Sequence, residues 1–130
     1  MVHIGHVALW TDDLERLAAF YASYFGAAVG PPYANPAKGY ESRFLTFASG
    51  ARLELMRTST LQPARCERGA QRMGLTHLAI CLGAERRVDE LTQVLREAGF
   101  AVLDGPRRTG DGYYESVVLD PDGNRIELTV

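Results

Sequence analysis

The sequence predicts an α+β protein made of two βαβββ modules in tandem that form a curved mixed sheet. Two repeats carry this expectation. Gly50-Ala51-Arg52-Leu53-Glu54-Leu55 reads against Gly123-Asn124-Arg125-Ile126-Glu127-Leu128, and His6-Val7-Ala8-Leu9 reads against His77-Leu78-Ala79-Ile80. Each half therefore places a His on an apolar strand, follows it with an amphipathic helix, and ends with a Glu inside an apolar run. One such unit cannot cover its own sheet, so two must pair.

Taken in order, residues 3–10 are apolar-rich and alternate, which predicts a strand,. Thr11 or Asp12 then caps a helix,. Leu14, Leu17, Ala18, Tyr21, Tyr24 and Phe25 recur at three- and four-residue steps, the pattern of a buried helix face, and Gly26 closes it,. Residues 28–40, with Gly30, Pro31, Pro32, Pro36 and Gly39, read as an irregular connection with room for a short strand,. Residues 43–47 and 52–57 are strands joined at Ser49-Gly50,. Residues 59–74, with Pro63, Gly69, Gly74 and the charged run Arg65-Cys66-Glu67-Arg68, read as a linker between module 1, residues 1–60, and module 2, residues 74–130.

The second module repeats the order. Residues 75–82 are a strand, and residues 85–98 are a helix presenting Val88, Leu91, Val94 and Leu95, closed by Gly99,. Residues 100–103 form a strand and 107–112 a loop, in which Arg107-Arg108 reads as a solvated turn more readily than as an anion site. Residues 114–119 and 125–130 are strands joined by Asp120-Pro121-Asp122-Gly123, whose Pro and Gly suit a type I turn,.

At 130 residues the chain is long enough for one compact domain,. It is 46% hydrophobic and 23% charged, and with a net charge of −2 nothing suggests nucleic acid or an anionic membrane as partner, while its clustered Arg could still serve a small-molecule, anionic substrate,. Lys38 is its only lysine. Neither a signal-peptide pattern nor an apolar run of membrane-spanning length is present,. Cys66 and Cys81 form no Cys-x-x-Cys motif and are too few for a disulfide scaffold, so a reduced, cytoplasmic setting is expected,.

The chemistry lies in the repeat. Alternation puts His6, Ala8 and Trp10 on one strand face, and puts Glu54 and Glu127 on the face opposite their flanking Leu and Ile residues,. A single Glu so placed is ordinarily a solvated residue of an amphipathic strand, and a single buried His ordinarily satisfies a backbone carbonyl. Two of each at matching places instead suggest one mononuclear metal site, with His6, Glu54, His77 and Glu127 as ligands,. His3 has no counterpart and reads as an exposed terminal residue. Trp10 and Cys81 stand four residues after His6 and His77, an even step, so both should line the substrate cavity. Cys81 has three readings: a fifth ligand, a reactive thiol, or a small apolar filler. Tyr113, Tyr114 and Phe44 read as core or cavity wall, and Arg65, Arg68 and Arg72 as a solvated segment or a mobile flap.

These residues resemble the vicinal oxygen chelate superfamily (glyoxalase, bleomycin resistance protein, dioxygenase), and within it glyoxalase I, or lactoylglutathione lyase. The resemblance runs through His6-Val7-Ala8-Leu9, Asp13-Leu14, Phe20-Tyr21, Phe25-Gly26, Leu53-Glu54-Leu55, Thr76-His77-Leu78-Ala79-Ile80 and the stretch from Asp120 to Leu128. It implies a single vicinal oxygen chelate domain over residues 1–130 and a metal held by His6, Glu54, His77 and Glu127. The implied activity is a metal-dependent lyase or isomerase that abstracts a proton beside a carbonyl through a metal-bound enediolate. Glu127 or Glu54 would be the catalytic base, and Ni²⁺, Co²⁺ or Zn²⁺ the metal. Relatives of this type pair as homodimers, with His6 and Glu54 of one chain meeting His77 and Glu127 of the other. The alternative within the superfamily is a resistance protein that sequesters a drug or transfers a thiol to an antibiotic. Two positions depart from glyoxalase I: Trp10 stands where an Arg commonly anchors glutathione, and Thr58 where an Asn commonly stands.

Overall fold

The computed structural model describes residues 1–63 and 66–130. The chain divides into two compact units, Met1–Ala64 and Arg65–Val130. The first runs β1 (His6–Trp10), α1 (Leu14–Phe25), β2 (Ala28–Val29), β3 (Tyr33–Asn35), a 3-10 turn (Pro36–Lys38), β4 (Tyr40–Thr46) and β5 (Arg52–Thr58). Its sheet is ordered β1-β5-β4-β2, with β3 also pairing with β4. The β1–β5 pair is parallel and the others antiparallel. The second unit runs β6 (His77–Cys81), α2 (Glu85–Glu97), β7 (Val102–Arg108), β8 (Tyr114–Leu119) and β9 (Arg125–Thr129), with sheet order β6-β9-β8-β7. The two units share one topology, βαβββ, apart from the short β3. Among the described residues no helix is long and apolar enough to cross a membrane.

The helix of the first unit starts one residue later than a cap at Asp12 would require, and two later than one at Thr11. Asp13 is its N-cap, accepting from the Arg16 amide at 3.0 Å, while the Thr11 hydroxyl accepts from the Asp13 amide at 3.1 Å. Gly26 ends it at φ 66°, a left-handed conformation that an L side chain would strain,. Leu17, Ala18, Phe20 and Tyr21 are buried with Leu9, Leu45, Leu53 and Leu55. In the second unit Val88 and Leu95 are buried with Val118, Ile126 and Leu128. Each fully buried Leu or Ile contributes about 1.5–3 kcal/mol.

Three sequence expectations are corrected. Val94, expected on the buried face of α2, is 47% exposed, and Thr92 is buried in the core instead. The core accepts this hydroxyl because it donates to the Val88 carbonyl at 2.6 Å and pairs with the buried Ser116 hydroxyl at 2.6 Å,. The Arg107-Arg108 loop is part of strand β7, pairing with Glu115 and Tyr114. The register advances from Asp104↔Val117 to Arg107↔Glu115, so β7 carries one residue more than β8 and bulges there,. Gly105 occupies the bulge at φ 78°, where a Cβ would lie 2.6 Å from the Glu115 carbonyl oxygen. Finally, the segment expected as a linker is partly tied down. The Arg68 guanidinium donates to the Pro121 and Asp120 carbonyls, and the Gly69 carbonyl accepts from Arg125 Nε at 2.9 Å. The Ala64–Arg65 portion of that linker lies outside the described residues.

The sheet face away from each helix carries the repeat. Along β1, His6, Ala8 and Trp10 are exposed while Leu9 is buried; along β6, His77, Ala79 and Cys81 are exposed.

Candidate metal centre

Parallel pairing aligns Ala8 with Glu54 in the first unit and Ala79 with Glu127 in the second. A methyl group beside each carboxylate leaves room for the imidazole two residues upstream to reach it. His6 Nε2 lies 3.5 Å from Glu54 Oε2, and His77 Nε2 lies 3.2 Å from Glu127 Oε2. The imidazoles are 45% and 38% exposed and the carboxylates 16% and 17%, so each pair is similarly exposed on the sheet of its own unit. Two ligand atoms at right angles around a metal, each about 2.1 Å from it, are about 3 Å apart. Each pair therefore has the donor types and the spacing of two neighbouring ligands of a borderline-hard divalent ion. Among the described residues no three His, Cys, Asp or Glu side chains group closely enough to hold a metal.

A model of the Glyoxalase/Bleomycin resistance protein/Dioxygenase superfamily matches residues 3–128. The chain belongs to this superfamily. A 29% identical relative in Bacillus subtilis (strain 168), the uncharacterized protein YqjT, aligns over 95% of this chain and 94% of its own length. The trypanothione-dependent glyoxalase I of Leishmania major superposes with a TM-score of 0.75 at 25% identity, over 99% of this chain and 86% of that one. Glyoxalase I from Zea mays gives a TM-score of 0.78 at 23% identity; it covers 98% of this chain, which spans only 44% of the maize protein.

The two pairs of this superfamily member are supported differently. In the first, the Tyr40 hydroxyl donates to Glu54 Oε1 at 3.2 Å. The His6 ring meets Phe44 edge to face with centroids 5.5 Å apart, and the Arg52 guanidinium stacks over Phe44 at 4.3 Å,. In the second, Thr76 Oγ1 is hydrogen-bonded to His77 Nδ1 at 2.9 Å, which orients Nε2 toward Glu127,. Glu127 is neighboured across the strand pair by Glu115, two residues from its register partner Val117, and the Glu115 carboxyl is 3.7 Å from Arg107 Nη2. Burial, and next the negative charge of Glu127, hold Glu115 above the usual carboxylate range, while Arg107 opposes them,. Arg107 in turn donates from Nε to Asp104 Oδ2 at 2.6 Å; this bond first, and the positive charge with it, lowers the Asp104 pKa.

Trp10 is 48% exposed on the His6 face, with Met56 as its register partner. Cys81 is exposed on the His77 face beside Thr129. Phe44 lies against the His6 ring. Tyr113 is 57% exposed, and Tyr114 bonds away from the site to Asp89 Oδ1 at 2.6 Å. His3 is exposed, and its Nδ1 lies 3.4 Å from the Met1 carbonyl. Sequence alone did not single out Tyr40 or Glu115, and it gave Thr76 and Arg107 no contact with the His–Glu pairs or with Glu115. Tyr40 and Glu115 lie at even steps from Phe44 and Val117, the strand partners of Glu54 and Glu127, and that parity was the available signal.

Proposed function

We propose that the two His–Glu pairs together ligate one divalent metal (Ni²⁺, Co²⁺ or Zn²⁺) and that the protein is a glyoxalase I-like lyase or isomerase. The observation that carries this reading is the repeated contact: His6 with Glu54 and His77 with Glu127, at closely similar distances and exposures in two units of one topology. A homodimer in which His6 and Glu54 of one chain meet His77 and Glu127 of a second would complete two equivalent four-ligand sites.

When bound, the metal would supply Lewis acidity toward the two neighbouring oxygens of the substrate. The chain's own contribution is the proton. Glu54 Oε2 or Glu127 Oε2, each beside an imidazole, takes it from the carbon next to the carbonyl and returns it to the adjacent carbon,. Trp10 and Met56 present an apolar wall on the same face, favouring an uncharged or aromatic substituent over the carboxylates of glutathione.

The test is turnover of hemithioacetals formed from one 2-oxoaldehyde and a panel of thiols, with and without added Ni²⁺. Ni²⁺-dependent isomerisation of at least one adduct is expected; no turnover of any adduct with any of the three metals would overturn the reading. The exposed Trp10 supports a second reading, a resistance protein that binds a drug or transfers a thiol to it. Purified protein without metal that nevertheless binds aromatic drugs would favour that one.

A further inference from the structure

We propose that Tyr40 is a positioning residue for Glu54, and that it makes the two halves of the site inequivalent. The proposal rests on the metal reading above. Tyr40 lies four residues before Phe44, the strand partner of Glu54, so the two side chains share a face,. Its hydroxyl engages Glu54 Oε1 at 3.2 Å, while Oε2 of the same carboxylate faces His6 Nε2 at 3.5 Å. The carboxylate is thereby divided: one oxygen is occupied by a neutral donor and the other is presented beside the imidazole. That arrangement fixes its rotation and leaves a single oxygen for a metal. Tyr33 packs edge to face on Tyr40 with centroids 6.0 Å apart, which restrains the phenol.

The repeat does not reproduce this. The residue four before Val117, the strand partner of Glu127, is Tyr113. Its backbone is engaged by Thr109 and its side chain is 57% exposed. Beside Glu127 stands Glu115 instead, two residues from the strand partner Val117 and with its carboxyl 3.7 Å from Arg107 Nη2. A neutral phenol bonded to one carboxylate and, among the described residues, no such donor on the other give two outwardly similar pairs different freedom to move.

The experiment compares the wild type with Tyr40→Phe, which keeps the ring against Tyr33 and removes only the hydroxyl, and with Tyr113→Phe as the symmetry control. In metal-free protein, Tyr40→Phe should shift the His6 ring resonances in an NMR spectrum and leave those of His77 in place; Tyr113→Phe should move neither. Calorimetric titration with Ni²⁺ should show binding weakened about 10–100-fold by Tyr40→Phe and unchanged by Tyr113→Phe, with an altered visible spectrum of the Co²⁺ form for Tyr40→Phe alone. Unmoved His6 resonances together with wild-type affinity would overturn the role of Tyr40 while leaving the metal reading intact. A wild type that binds no metal would overturn the metal reading, and the role of Tyr40 in holding Glu54 would then be decided by the His6 resonances.

Discussion

Replacing Asp120 with Ala should destabilise the fold more than any other single change in the β8–β9 turn. Asp120 is fully buried, and its carboxylate accepts hydrogen bonds within the turn from the Asp122 and Asn124 amides on Oδ1, both at 2.9 Å, and from Asn124 Nδ2 on Oδ2 at 2.8 Å. Bonds to a charged acceptor contribute about 1.5–3 kcal/mol each, and the three donors of the half-buried turn regain part of that from water, so a loss of about 3–5 kcal/mol is expected. The turn also sets the register of β9, which carries Glu127, so Ni²⁺ affinity should fall with stability. Urea unfolding followed by circular dichroism measures the first effect and calorimetry the second. Asp120→Asn, which retains one acceptor oxygen, should fall between Asp120→Ala and the wild type. A loss below about 1 kcal/mol for Asp120→Ala, the size of one ordinary hydrogen bond, would refute the view that this carboxylate organises the turn.

Thr92→Val strands the buried Ser116 hydroxyl and should cost about 1–3 kcal/mol. Adding Ser116→Ala should cost little more, a coupling that a double-mutant cycle of urea midpoints would measure. Glu115 has its pKa raised in the folded chain, so the folded state keeps a proton that the unfolded state has released. Stability attributable to this group is therefore greatest below the ordinary glutamate range and falls as pH rises from there through the raised value. Glu115→Gln should stabilise the protein at neutral pH and flatten that fall relative to wild type, as read from urea midpoints at pH 4 and pH 7. Trp10→Arg should raise activity on the glutathione adduct of methylglyoxal by restoring a carboxylate partner that contributes about 1.5–3 kcal/mol. Equal kcat/KM for the two proteins would count against the apolar-wall argument.

The repeat was legible because alternation and helical spacing are local: the paired modules, their two helices and the face shared by His6 and Trp10 follow from periodicity alone. What escaped depended on partners distant in sequence. Thr92 reads as a surface residue until Ser116 is placed beside it. Arg107 reads as a loop cation because a bulge at Gly105 resembles a strand end, although the strand continues and presents Arg107 to Glu115. Tyr40 was lost to a boundary: Pro36 and Gly39 suggest a connection running through it, whereas β4 begins at Tyr40 and thereby places its hydroxyl on Glu54. The helix cap at Asp13 was displaced for a similar reason, since the Thr11 hydroxyl bonds the Asp13 amide rather than opening the helix itself. Reading His6, Glu54, His77 and Glu127 as one set came from the repeat; their pairwise contacts depend on the parallel register that seats Ala8 and Ala79 beside the carboxylates.

The most direct test of the account is the metal stoichiometry of the purified protein, measured by plasma mass spectrometry and Ni²⁺ titration for the wild type and for His6→Ala, Glu54→Ala, His77→Ala and Glu127→Ala. The account predicts one ion per chain in the wild type and weakened binding in all four variants. Absence of a bound ion, or binding that depends on one His–Glu pair and ignores the other, would contradict it.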